Sequence, residues 1–210
     1  AFSGDATVNL KLFYDAIRKS VDLTPANISG FDRFLTEGER QRTPLNIFAY
    51  ILATVYWETA HTMQPVKEAY WVYPHDPVKM EAWRKRNLRY YPYYGRSFPQ
   101  FTWETNYRTA TDVWNSEFRG DGPKVNFVTD PDRIMDPAFG VPLTFHALRH
   151  GWFTGKGLDD FIDQIDESDQ EDLREFKNAR KAVNGTDKAE AIGRVALLME
   201  AALKAAGYKH

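Results

Sequence analysis

Apolar positions recur with a helical period through most of this chain. Leu10, Leu12, Phe13, Ile17 and Val21 fall close to one stripe and predict a first helix over residues 7–21. Thr24-Pro25 and Thr43-Pro44 each set a capping hydroxyl before a proline suited to the first helical position, which marks two further helix starts. After Pro44, Leu45, Phe48, Leu52, Val55 and Tyr56 form one apolar stripe, while Ile47, Ile51 and Thr54 form a second line. A helix that is apolar on so many sides is expected to lie at the centre of the core.

Residues 72–75 read as a connection, 77–88 as a polar helix, and 90–100 as a loop rich in Tyr, Gly and Pro. Helix is expected again over 102–118, 136–153, 171–183 and 188–206, with the Gly/Pro/Asp-rich stretch 120–132 as the longest irregular connection. Asn184-Gly185 is a natural stop between the last two helices. Alternating β patterns are scarce, so a short hairpin near 66–75 or 123–130 is the most that is expected, and the fold class is mainly α. Repeats, low-complexity tracts and strong linkers are not evident, and 210 residues suit one domain.

Composition narrows the chemistry. The 27 basic and 29 acidic residues give a net charge of -2, which offers no global electrostatic reason to expect nucleic acid or an anionic membrane. The absence of cysteine excludes disulfides, thiolate nucleophiles and Cys-based zinc sites. No apolar run reaches the roughly eighteen residues of a membrane span, and residues 1–5 lack the basic flank and apolar stretch of a signal peptide; a soluble, monomeric chain is expected. Aromatic residues make up 15%, with six Trp and eleven Tyr. Most of these rings suit a core, and the remainder suit a cleft in which ring faces cover sugar C–H groups.

The line Ile47, Ile51, Thr54 runs on to Glu58, which sets a carboxylate at the end of a buried helix. Desolvation and the negative end of the helix dipole both disfavour its charged form. An acid that holds its proton near neutrality is what glycoside cleavage needs. A Glu paired with a buried Arg or His is the competing account of the position. Glu68 follows ten residues later, beyond Pro65, where a turn could face it toward Glu58 across a cleft; a solvated surface residue beside Lys67 is the competing account.

Residues 48–65, ending Tyr56-Trp57-Glu58-Thr59-Ala60-His61-Thr62-Met63-Gln64-Pro65, resemble the catalytic-helix motif of family 19 glycoside hydrolases, the chitinases and phage-type endolysins. Tyr93-Tyr94-Gly95-Arg96-Ser97-Phe98-Pro99-Gln100-Phe101-Thr102-Trp103 with Asn106-Tyr107 is similar to the family's second signature. Looser similarity covers Gly151 to Lys156 and Ala179 to Ala189, so the likeness spans roughly residues 44–200. It implies a lysozyme-like, two-lobed helical domain that cleaves β-1,4 bonds with inversion and without metal or cofactor. Glu58 matches the general acid, Glu68 the base that activates water, and Thr102 a hydroxyl that holds that water. Gln100 and Asn106 match sugar-binding positions, Tyr94 and Arg96 shape the cleft, and Arg180 with Asn184 matches an arginine–asparagine pair near the carboxylates.

This chain departs from the family at Trp57, where His is usual, and at Ser97, where a second loop glycine is usual. Should that glycine take a positive φ, Ser97 bears a backbone penalty or alters the loop. Ala60-His61 after the acid follows the endolysin-like members, which implies peptidoglycan at the bacterial cell wall before chitin. A chitinase, a lytic transglycosylase and a non-catalytic glycan-binding protein are the alternatives.

Other constellations are weaker. His146 and His150 stand four apart on an expected helix, but the Glu of His-Glu-x-x-His and a third ligand are missing, so no metal site is expected. His61, three residues from Glu58, is placed to tune the acid. Arg84-Lys85-Arg86 with Arg89 and Arg96, interleaved with Tyr90, Tyr91, Tyr93 and Tyr94, has the pattern of a nucleic-acid surface, but reads first as a solvated helix and a packed turn, and next as a basic flank for an anionic wall polymer. Residues 159–175 carry nine acids and read as a solvated face.

Overall fold

The computed structural model describes residues 8–163, 168–185 and 188–210. Residues 1–7, residues 164–167 of the acidic run, and Thr186 and Asp187 of the late similarity lie outside the described residues. The fold is mainly α, with a single two-stranded sheet among the described residues. Among the described residues no helix is long and apolar enough to cross a membrane. The chain divides into two compact units, Ala1–Met63 with Phe145–His210, and Gln64–Thr144.

The first unit is built on α3 (Leu45–Glu58), in which every residue from Asn46 to Tyr56 is buried. Around it come α1 (Leu10–Ile17), α2 (Pro25–Arg40), α7 (Asp169–Ala179) and α8 (Ala189–Ala205). Aromatic rings fill the space between them: Phe34 stacks on Phe145 at 5.8 Å, and Phe48 meets Tyr208 edge-on at 5.1 Å. Helix α2 approaches α3 closely at Gly38, where a Cβ would come within 2.2 Å of the Phe48 ring. The two expected caps differ. Thr24 accepts from Asn27 N at 3.1 Å and caps α2. Thr43 caps nothing: Pro44 is the N-cap of α3, the buried Thr43 hydroxyl has no partner, and Leu45 N donates to the His210 carbonyl at 3.2 Å.

The second unit holds β1 (Val66–Lys67), α4 (Pro77–Asn87), β2 (Arg96–Ser97), α5 (Glu104–Val113) and the start of α6 (Pro137–His150), whose last residues belong to the first unit. The strands pair antiparallel, Val66 with Ser97 and Lys67 with Arg96. The expected local hairpins are therefore corrected. Strand β1 begins at 66, but its partner comes from the aromatic loop thirty residues on, because Glu68 N donates to Gly95 O at 2.7 Å; residues 123–130 contain no strand. Helix α5 starts two residues later than its apolar pattern suggests, since Trp103 has φ 71° and its N–H bonds the Tyr93 carbonyl. It then widens into a π-helical turn over Trp114–Phe118. Helix α6 stops at His150 because Gly151 takes φ 72°.

Candidate active site

In the first unit the site begins at the C-terminal end of α3. Thr59 fixes that end: its hydroxyl donates to Val55 O at 2.7 Å and accepts from Met63 N at 2.9 Å. Ala60, His61 and Met63 then follow with φ of 51°, 66° and 56°. Glu58, its side chain 21% exposed, receives a hydrogen bond from Arg180 Nη1 to Oε1 at 2.7 Å, and the arginine side chain is only 3% exposed. The acid on α3 and the arginine that follows α7 thus meet across 122 residues of sequence. Both accounts of Glu58 left open by the sequence pass through this contact.

His61 does not bond Glu58 among the described residues. Its ring lies flat on Tyr56, centroids 4.4 Å apart, and 5.4 Å from Trp57. Asn184 donates its backbone N–H to the Arg180 carbonyl at 3.0 Å, while its exposed side chain reaches neither Glu58 nor Arg180 by a hydrogen bond. Sequence reasoning missed Tyr50. It sits two helical turns before Glu58, fully buried and stacked on Phe176 of α7 at 5.8 Å. Its buried hydroxyl meets that of Thr54, midway to Glu58. Burial pushes the Tyr50 hydroxyl well above its ordinary value, with Arg180 and Glu58 as its charged neighbours.

In the second unit the candidate base is held by neutral donors. Glu68 Oε1 accepts from Tyr90 Oη at 2.5 Å and Oε2 from Gly95 N at 2.9 Å. Its carbonyl accepts from Arg84 Nε at 2.8 Å. Gly95 permits this approach: a Cβ there would stand 3.3 Å from Glu68 Cβ and 2.6 Å from Gln100 Oε1. Burial and the bond to Glu68 push the Tyr90 hydroxyl up to about 12. Tyr90 was legible only as one ring of a basic, aromatic stretch.

The remaining expected site residues frame the same loop. Gln100 gives both amide hydrogens to the fold, to Val66 O at 2.9 Å and Ser97 O at 3.0 Å, so only its carbonyl is left for a ligand. Thr102 Oγ1 donates to Gln100 O at 2.9 Å and keeps its lone pairs, and Asn106 Nδ2 donates to Thr102 O at 2.8 Å. Tyr94 and Arg96 are interior, 1% and 2% exposed. The guanidinium lies 3.7 Å from the Tyr94 ring centre and bonds Asp132, Pro92 O and Tyr107 Oη. These two residues shape the loop from beneath.

Two further acids organise this unit and were not expected. Glu81 accepts from Tyr91, Tyr94 and Arg84. Burial alone would raise its pKa, but the three donors outweigh burial and hold it below the usual carboxylate range. Asp132 behaves likewise, with burial outweighed by Lys67 and Arg96.

Backbone strain singles out the same regions. Eight of the ten non-glycine residues with positive φ among the described residues fall within 60–73 and 97–103, directly after Glu58, around Glu68 and through the loop. Each such residue costs on the order of 1 kcal/mol or more, and strain of this kind concentrates at functional sites. Ser97, at φ 72°, bears the penalty its glycine-like place implies, and its buried hydroxyl has no partner.

His146 Nδ1 accepts from Trp152 Nε1 at 3.2 Å, and the His146 and His150 rings lie 4.2 Å apart. Asp169, Asp172 and Glu200 form the one group of three potential metal ligands among the described residues, away from the expected site residues in sequence.

No protein-family model, curated protein or solved structure matches this chain.

Proposed function

We propose that this chain is a glycoside hydrolase that cleaves β-1,4 bonds of an amino-sugar polymer, peptidoglycan before chitin, with inversion. The observation that carries the reading is the grip of the second motif's segment on Glu68, the residue matched to the base. Glu68, which follows the first motif, is gripped through both carboxylate oxygens and its backbone by the Tyr90–Gly95 segment that opens the second. The clustering of strained residues after each carboxylate supports it independently.

In this mechanism Glu58 gives its proton to the leaving glycosidic oxygen, and Arg180 stabilises the carboxylate that remains. Glu68, oriented by two donors, takes a proton from the water that attacks the opposite face of the sugar. The free lone pairs of Thr102 Oγ1 suit a hydroxyl that orients that water. No metal or cofactor has a part in these steps.

Glu58→Gln tests the reading most directly, because the amide carbonyl still accepts from Arg180 while the proton donor is gone. Turnover is expected to fall at least about 1000-fold, roughly 4 kcal/mol in the barrier. Purified peptidoglycan and chitin, digested in parallel and read by mass spectrometry, report substrate and bond. Retained activity in Glu58→Gln, or anhydro products without water incorporation, would overturn the assignment.

A further inference from the structure

The basic, aromatic stretch seen in the sequence separates into an inner and an outer set. Arg84 and Arg96 are buried and spend their hydrogen bonds inside the unit. Glu81, the acid within α4, is turned inward onto Tyr91, Tyr94 and Arg84. Val78, Lys79, Ala82, Lys85 and Arg86 are exposed, and their spacing sets them on one face of α4. That face bears three cations and no anion. Lys85 and Arg86 make no ion pair or hydrogen bond among the described residues. Asp76, the cap of α4, lies 3.9 Å from Lys79 Nζ.

The segment leading into α4 exposes large rings. Trp71 is 65% exposed, Tyr70 46% and Tyr73 47%; Tyr70 and Trp71 meet edge to face at 5.3 Å. Lys79 Nζ stands 6.0 Å from the Tyr73 ring centre, which ties the rings to the cationic face. Exposed rings of this size are costly to leave in water and mark a binding surface.

We propose that the Trp71–Tyr73 rings and the Lys79, Lys85 and Arg86 face of α4 form a docking surface for an anionic amino-sugar polymer, additional to the carboxylates. The identity of the polymer rests on the hydrolase reading above. Rings cover the C–H faces of sugars, and ammonium and guanidinium groups meet carboxylates borne on the glycan and its peptides. A bilayer surface is less well matched, since the aliphatic part of the face is only Val78 and Ala82. Nucleic acid is less well matched because the whole chain carries a net charge of -2.

The test is co-sedimentation of the Glu58→Gln chain with purified peptidoglycan sacculi, colloidal chitin, phosphatidylglycerol vesicles and single-stranded DNA. A Lys85→Glu/Arg86→Glu pair and a Trp71→Ala/Tyr73→Ala pair are compared with it, their folding checked by circular dichroism. Either pair is expected to weaken sacculus binding at least ~10-fold. The charge pair is expected to abolish its salt dependence, and Lys85→Arg/Arg86→Lys to retain both. On neutral chitin only the aromatic pair is expected to matter. Unchanged sacculus binding by both pairs would overturn the proposal, as would tighter binding to vesicles or DNA that is lost in the same variants. Hydrolysis of a short soluble muropeptide oligosaccharide by the unsubstituted chain separates the two readings. Sacculus binding lost in the variants without any hydrolysis sinks the reaction and keeps the surface; hydrolysis with binding unaffected does the reverse.

Discussion

The two units treat their carboxyl groups in opposite ways. In the first, acids face acids: Glu200 of α8, 3% exposed, lies against Asp172 of α7, and Glu175 lies against Asp163. Burial first, and then the neighbouring acid, raises Glu200 and Glu175 each to about 7. In the second unit acids face donors, and Glu81 and Asp132 fall below the usual range despite burial. The candidate site residues divide differently: Glu58 of the first unit has a full cation at 2.7 Å, whereas Glu68 of the second has a phenol and a main-chain amide. One carboxylate is met by a charge and the other by directed dipoles, so substitutions of their partners should act on them differently.

The largest effect is expected from Arg180→Ala. The arginine is almost wholly buried, and its loss leaves Glu58 beside a cavity without its cation. Urea unfolding is expected to show about 3 kcal/mol or more of destabilisation. Arg180→Lys, which keeps the charge and loses the planar fork, is expected to recover part of it. If Arg180→Ala is as stable as the parent, charge does not govern this end of α3.

pH comes next, and the sign differs between units. A carboxyl whose folded pKa is raised contributes stability that is complete below its ordinary value near 4.5 and is lost as pH rises through about 7. The α7–α8 pairing is therefore expected to weaken between pH 5 and 8, on the order of 1–3 kcal/mol for Glu200. Lowered carboxyls contribute stability present above their ordinary values and lost as pH falls through the folded value, so the second unit is expected to weaken in acid. Hydrogen exchange at pH 4, 6 and 8, followed for α8 and α5 separately, reads both. Glu200→Gln should flatten the first trend and leave the second. Parallel trends in the two helices would break the comparison.

Tyr90→Phe removes one of the two donors to Glu68 and leaves the amide of Gly95. A hydrogen bond to a charged group contributes about 1.5–3 kcal/mol, so kcat on peptidoglycan is expected to fall ~10-fold or somewhat more, with KM little changed. An unaltered kcat would mean that the dipoles around Glu68 serve only the fold. Smallest is Ser97→Gly, which relieves the left-handed strain and removes a buried hydroxyl without a partner, offset by the freedom of glycine when unfolded. A net gain of about 1 kcal/mol is expected in the urea midpoint.

Helices were legible in the sequence because their apolar periods are local, and α3 stood out by being apolar on nearly every side. The β1–β2 pair was not, since two-residue strands leave no alternation to read and their partner is distant. Thr24 and Thr43 look alike in sequence, yet only one caps; what separates them is that the His210 carbonyl reaches the start of α3. Glu58 was legible from its helix alone. Arg180 came only through the family resemblance, because no local pattern links residues so far apart. The strained backbone was invisible for a simpler reason: Ala60, Met63, Gln100 and Trp103 are residue types that rarely take positive φ.

The Gly95 amide gives the Glu68 grip an unusual inheritance. A side-chain donor can be deleted by a single codon change, but a main-chain N–H survives every substitution except proline. Half of what orients Glu68 is thus carried by the main chain and depends on residue 95 staying glycine, while the other half, the Tyr90 hydroxyl, rests on a side chain. Drift at Tyr90 should accordingly loosen the carboxylate in one direction only, letting Oε1 swing while Oε2 stays pinned.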